Sequence, residues 1–206
     1  MTLPPPRDAG ELAGFPVRLW RAQQPLSRIH RHVHGTVYFS TDGTGRFDPP
    51  PGATGWGTWY LSTHPRGAFA EVFGRFRTIT TRMLDDRVLA SVYLPSDLRL
   101  ADLTAPELLG SWGLTGAMSA GTDTVYPVTQ AWPPGVVDAG FAGVYYAASH
   151  DPTLHSRSVA LFGKPPDPDT DPADPTNIAV EPLTGQLLDH LLETFGYTVI
   201  DTRPLS

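Results

Sequence analysis

About one residue in five along this chain is glycine or proline, 20 and 22 respectively among 206 residues. Each proline fixes φ and removes a backbone donor, and each glycine costs extra entropy inside a regular element. A chain so punctuated cannot sustain long helices. That excludes a helical bundle or coiled coil and points to many short elements joined by shaped loops. The length suits one globular domain able to bury a real core. There is no cysteine, so the core forms without disulfides, and thiolate metal sites, iron–sulfur clusters and cysteine nucleophiles drop out.

The formal net charge of -6 argues against a dedicated nucleic-acid binder. Lys164 is the one lysine among 15 basic residues. The arginines suit paired grips on phosphate or carboxylate. Met1 to Gly14 carries prolines and charges where a signal peptide needs an apolar stretch, and reads as a flexible lead-in to a domain over 15–206. The apolar run Val88 to Leu94 is far too short to cross a bilayer. A cytoplasmic protein with no membrane association is the expectation.

Strand patterns fall in Phe15–Gln23, Arg28–Ser40, Thr58–Ser62, Val88–Leu94, Arg99–Leu103, Gly143–Tyr146, Ser158–Phe162 and Tyr197–Asp201. His64-Pro65 opens a predicted helix over Arg66–Phe76, with Phe69, Val72, Phe73 and Phe76 on one apolar stripe. Glu71 projects roughly 200° away from Phe69 and so faces water or a cleft. Glu107–Ala120 reads as a second helix and Gly185–Phe195 as a third, capped by Thr184 and ended by Gly196. Residues 164–176 are acidic and proline-rich, an exposed mobile loop. The order is mixed α+β without a Rossmann rhythm.

No generic motif is present: no phosphate-binding Gly-Lys loop, no Gly-x-Ser-x-Gly elbow, no His-Glu-x-x-His. His30-x-His32-x-His34 would put three imidazoles on one side of a strand. Arg21, Arg28 and Arg31 repel a cation there, and histidines serving as hydrogen-bonding groups are the favoured reading, so no metal is expected. Arg46, Tyr60, Glu71 and Ser149 stand in apolar settings. Taken singly, each has an ordinary explanation: a loop ion pair, a core ring, a solvated helix position, a turn residue. Ser149, His150 and Asp151 are consecutive and cannot fold back as a hydrolase triad.

Together and in order, these pieces are more telling. Leu26-Ser27-Arg28-Ile29-His30-Arg31, Gly45-Arg46-Phe47-Asp48-Pro49-Pro50, Tyr60-Leu61-Ser62, Ala68-Phe69-Ala70-Glu71-Val72-Phe73, and Gly143 to Tyr146 through His150-Asp151-Pro152 to Val159–Phe162 resemble the RES-domain family. The resemblance covers about residues 17 to 163. It implies a split, highly curved β-sheet of the ADP-ribosyltransferase, diphtheria-toxin-like type with short flanking helices. It also implies a bacterial toxin that consumes NAD by glycohydrolysis or phosphorolysis and is neutralised by a helix-turn-helix antitoxin. Transfer of ADP-ribose to a protein, or a catalytically silent NAD-binding module, are the alternatives. Under this resemblance Glu71 is the catalytic carboxylate, with Tyr60, Arg46 and Ser149 beside it, while Arg28, Arg46, Tyr60 and Ser149 hold NAD. The family serine falls on Ala148 here. Either Ser149 takes its role or the serine function is missing.

Overall fold

In the computed structural model, residues 4, 7–50, 55–121, 123–164 and 177–202 are described. Their order is β1 (Val17–Trp20), β2 (Pro25–Arg31), β3 (Gly57–Ser62), α1 (Pro65–Phe73), β4 (Ile79–Thr80), α2 (Thr81–Asp85), β5 (Arg87–Tyr93) and β6 (Leu98–Asp102). Then follow α3 (Ala117–Ala120), α4 (Tyr126–Thr129), α5 (Pro133–Asp138), β7 (Gly143–Ala147), β8 (Arg157–Gly163), β9 (Asn177–Pro182), α6 (Gly185–Phe195) and β10 (Val199–Ile200). The expected loop at 164–176 lies, beyond Lys164, outside the described residues.

Eight strands form one sheet in the order β1-β6-β7-β8-β3-β2-β5-β9, and β10 pairs with β4 in a small second sheet. This is the mixed α+β domain with one large curved sheet that the sequence suggests. The sheet is nearly two. β3 pairs with β8 from Gly57↔Gly163 to Ser62↔Ser158, and β2 pairs with β5 from Pro25↔Tyr93 to Arg31↔Arg87. Between β2 and β3 the register holds at Ser27↔Ser62 alone. The strands therefore part, leaving a gap between two half-sheets.

Alternation along each strand builds separate cores on the two faces. Ala101, Val144, Tyr146 and Ala160 pack with Phe47, Trp132 and Val136. Their neighbours Leu100, Tyr145, Val159 and Leu161 pack with Trp59, Leu26 and Val92. A third cluster seats α1 and α6 on the second half-sheet, with Phe69, Phe73, Leu188 and Leu191 against Ile29 and Leu89.

Several expectations are corrected. β2 ends at Arg31, and residues 36–39 are not a strand; the Thr36 carbonyl accepts from the side chains of Arg28 and Trp59 instead. The helix expected over Glu107–Ala120 breaks into a π-helical turn at Leu108–Trp112 and the short α3. Gly113, at φ 65°, ends the first piece in a left-handed conformation. α1 stops at Phe73, so Phe76 leaves the stripe and is exposed. Thr184 occupies the N-cap of α6 but its side chain makes no capping bond. Part of the lead-in is tied down, since Leu12 is buried against Trp132 and Val136, and Arg7 donates to the Trp112 carbonyl. β9 carries no strand signal strong enough to stand out beside the proline-rich stretch before it.

Candidate active site

The gap between the half-sheets opens into a cleft of about 310 Å³ whose wall includes Arg28, Arg46, Tyr60, Glu71 and Ser149. All five residues singled out from the sequence meet there, from β2, a turn, β3, α1 and the turn after β7.

Glu71 sits on α1 away from the buried Phe69 and Phe73, so the helix that anchors it also aims it at the cleft. The start of α1 is set locally: His64 Nδ1 accepts from the Arg66 N–H, and Pro65 opens the first turn. The Ser149 N–H donates to Glu71 Oε1 at 2.8 Å, and His150 Nδ1 lies 3.4 Å from Oε2. The carboxylate is thus held at both oxygens by one turn. Gly74 permits that approach: a Cβ there would fall 2.5 Å from His150 Cβ. Asp151 shapes the turn itself. It is fully buried and accepts from the N–H and hydroxyl of Thr153 and of Ser156. Burial alone would raise its pKa, but these hydrogen bonds draw it down to about 2.

Ser149 itself lines the cleft, with Oγ 3.4 Å from His150 Nδ1. Ala148 is buried, and its N–H donates to the Ser156 carbonyl. The structure therefore brings Ser149, not position 148, beside Glu71.

Arg46 is only 5% exposed. Its Nη2 donates to the Gly121 carbonyl at 2.6 Å and its guanidinium lies over the Tyr126 ring, 5.3 Å from the centroid. Nη1 is buried and has no hydrogen-bond partner among the described residues. A buried guanidinium nitrogen left unpaired is costly. Arg28 reaches the same cleft from β2, donating to the Thr36 carbonyl at 2.6 Å. Burial lowers its pKa to about 10, which leaves it charged at neutral pH. Arg75, one turn after Glu71, is a third arginine on the wall.

Tyr60 presents its ring while its hydroxyl accepts from the Phe47 N–H at 2.9 Å. Burial first, then the nearby Asp48 carboxylate, hold the Tyr60 pKa well above 10, so it stays a phenol. Asp48 is fully buried, with Oδ2 bonded by the Gly45 N–H and the Ser40 hydroxyl. Burial raises its pKa. Gly45 makes this corner possible, since a Cβ there would lie 2.5 Å from the Tyr60 hydroxyl.

The histidine series does not share one face. His30 is buried in β2 with Nδ1 against the Arg31 carbonyl and Nε2 against Thr36 Oγ1, while His32 and His34 fall beyond the strand. Among the described residues no group of three acidic or histidine side chains could hold a metal ion.

Sequence reasoning did not pick out His150, Arg75, Tyr126 or Asp48 as site residues. Arg75 had a signal: four positions after Glu71, it falls on the same helical side. Tyr126 had none, because its place depends on how the segment before α5 crosses the cleft.

A mixed α+β domain whose split sheet encloses arginines, a glutamate and a serine defines the class, and the comparisons fix the family. The chain belongs to the RES domain family, whose model matches residues 18–183. Its fold is similar to that of a chain in the crystal structure of the M. tuberculosis MbcT–MbcA toxin–antitoxin complex. The TM-score is 0.60 at 19% identity, covering 84% of this chain and 91% of that one. No curated protein sequence matches. No described helix is long and apolar enough to cross a membrane.

Proposed function

We propose that this protein is an NAD-consuming toxin of the cytoplasm that cleaves the nicotinamide–ribose bond, by hydrolysis or phosphorolysis, and is held in check by a helix-turn-helix antitoxin. The observation that carries this reading is the buried, unpartnered Nη1 of Arg46 in the same cleft as a carboxylate oriented at both oxygens. Anion grip and carboxylate are what NAD cleavage needs together. Membership of the RES domain family and a fold shared with a chain from a toxin–antitoxin complex support the same conclusion.

Arg46 and Arg28 take the pyrophosphate through charge-assisted hydrogen bonds. Tyr60, its hydroxyl already tied to the Phe47 N–H, offers its ring to nicotinamide. Ser149 hydrogen-bonds ribose or the carboxamide. As the glycosidic bond breaks, its electron pair leaves with the nicotinamide nitrogen and discharges the pyridinium. Positive charge grows at the anomeric carbon, as in glycoside cleavage. Glu71 binds the ribose hydroxyls and stabilises that charge. Water or phosphate then bonds to the anomeric carbon, water losing its proton to solvent.

The test is NAD loss with the purified chain, with and without phosphate, the products separated by chromatography. Nicotinamide plus ADP-ribose identifies hydrolysis, and a phosphate-dependent sugar product identifies phosphorolysis. No loss under either condition overturns the reading. Label transferred from NAD to a macromolecule replaces it with ADP-ribosyl transfer, and binding without turnover replaces it with a silent module.

A further inference from the structure

We propose that α4 together with Gln130, which no motif in the sequence marks, is a positioning clamp that gives the cleft its preference for a diphosphate by fixing Arg46. The inference rests on the reading above of Arg46 as the diphosphate-binding side chain.

The Arg46-bearing turn is held from one direction by groups far away in sequence. Gln130, nearly fully buried, spends its amide nitrogen on two carbonyls, Gly43 at 2.8 Å and Gly45 at 2.9 Å. Thr129, fully buried, has one hydroxyl proton. The nearest of its three carbonyl neighbours is that of Arg46 itself, at 2.6 Å, against 3.2 Å for Tyr126 and 3.4 Å for Val125. Tyr126, from the same short helix, lies against the guanidinium, and the Gly121 carbonyl takes Nη2. Backbone and side chain of Arg46 are thus both fixed before any ligand arrives. Gly43, at φ 74°, supplies the left-handed bend that exposes its carbonyl to Gln130.

An arginine side chain normally loses rotamer freedom on gripping an anion, and that loss subtracts from affinity. Here the loss has already occurred during folding. Nη1, buried and without a partner among the described residues, is thereby held in one place for a phosphate oxygen, and a point charge on a flexible stem could not replace it. Among the described residues no hydrogen bond joins the clamp to Glu71 or to the turn that holds it. It therefore acts on binding of the diphosphate rather than on bond cleavage.

Calorimetric titration of the full chain with ADP-ribose tests this, using Gln130→Met, which keeps the volume and loses both hydrogen bonds. Binding is expected to weaken about tenfold, the scale of one charge-assisted hydrogen bond, while kcat for NAD stays within about twofold and KM rises in step. In an Arg46→Lys background, which has already lost the fork, adding Gln130→Met is expected to weaken ADP-ribose binding by less than about twofold. A structural role independent of Arg46 would instead give the same tenfold loss in both backgrounds, and that result overturns the inference. So does wild-type affinity in the Gln130→Met protein, or a fall in kcat with KM unchanged. Should Gln130→Met fail to fold, Thr129→Val carries the same readouts and the same outcomes. If the wild-type chain does not bind ADP-ribose, the NAD reading fails and the clamp with it. If the wild type binds and the variants bind equally well, the clamp alone fails.

Discussion

Two carboxylates meet at the cleft turn, Glu71 reaching it through space and Asp151 lying within it, and they divide chemistry from architecture. Glu71 is half-buried and bonded by a backbone N–H and a ring nitrogen. Glu71→Gln keeps an acceptor for the Ser149 N–H, so the fold should persist while the charge is lost. NAD turnover is expected to fall at least about 100-fold with an unchanged thermal unfolding curve. Retained turnover removes Glu71 from the chemistry. Asp151, by contrast, carries no proposed catalytic role. Its pKa of about 2 in the folded state lies below the 3.8 of an ordinary aspartate, so its stabilisation is fully present above pH 3.8 and fades as pH falls through 2. Asp151→Asn should cost about 2 kcal/mol at pH 7. In urea titrations the gap to wild type should narrow between about pH 4 and pH 2. A gap that stays constant with pH would mean that the shape of the turn, not the charge, supplies the stability.

At the scale of elements, the site depends on how closely α1 meets the turn after β7. Gly74 marks the contact. Gly74→Ala places a methyl 2.5 Å from His150 Cβ and 3.0 Å from its carbonyl oxygen. Overpacking of this kind costs about 1–3 kcal/mol. It should also move the 149–150 turn off Glu71, so NAD turnover should drop together with Tm. A lowered Tm with full turnover would show that Glu71 needs neither Ser149 N–H nor His150. The same end of α1 is stitched by a second contact: the Tyr197 hydroxyl lies between the Phe73 and Phe76 carbonyls, and the helix ends there without a glycine in left-handed conformation. Sequence pattern located α1 and α6 because each buries one apolar side, and β5, β7 and β8 because each is a short apolar run. It failed on residues 36–39, whose composition suits a strand but which find no neighbouring edge, and on 107–120, where glycines interrupt a helix-like pattern.

For the whole molecule, the cleft lies where two half-sheets meet at Ser27↔Ser62. A ligand seated there touches residues of both halves: Arg28 and Glu71 on one side, Tyr60 and Arg46 on the other. Ligand binding is therefore linked to global unfolding rather than to a local loop. ADP-ribose at about 100 times its Kd should contribute about 2.7 kcal/mol and raise Tm by about 5–10 °C in a single calorimetric transition. Two transitions, of which one moves, would show that the halves unfold independently. The net charge of -6 does not oppose an anionic ligand, because three arginines concentrate positive charge at the cleft wall.

The short elements, the mixed class and the direction of Glu71 were legible in the linear chain, because proline, glycine and hydrophobic period act over a few neighbours. The ordered Arg28, Arg46, Tyr60 and Glu71 pieces were legible too, through their resemblance to the RES-domain family. Ser149 was readable only as one of two choices beside Ala148. Which of them faces the cleft is set by the turn after β7, where position 148 is buried with its N–H on the Ser156 carbonyl and the 149 N–H reaches Glu71. Tyr126, Thr129 and Gln130 were invisible for a related reason. They act on Arg46 across more than 75 residues of chain, and contacts at that separation arise only when the sheet closes and α4 is packed over the turn that carries it.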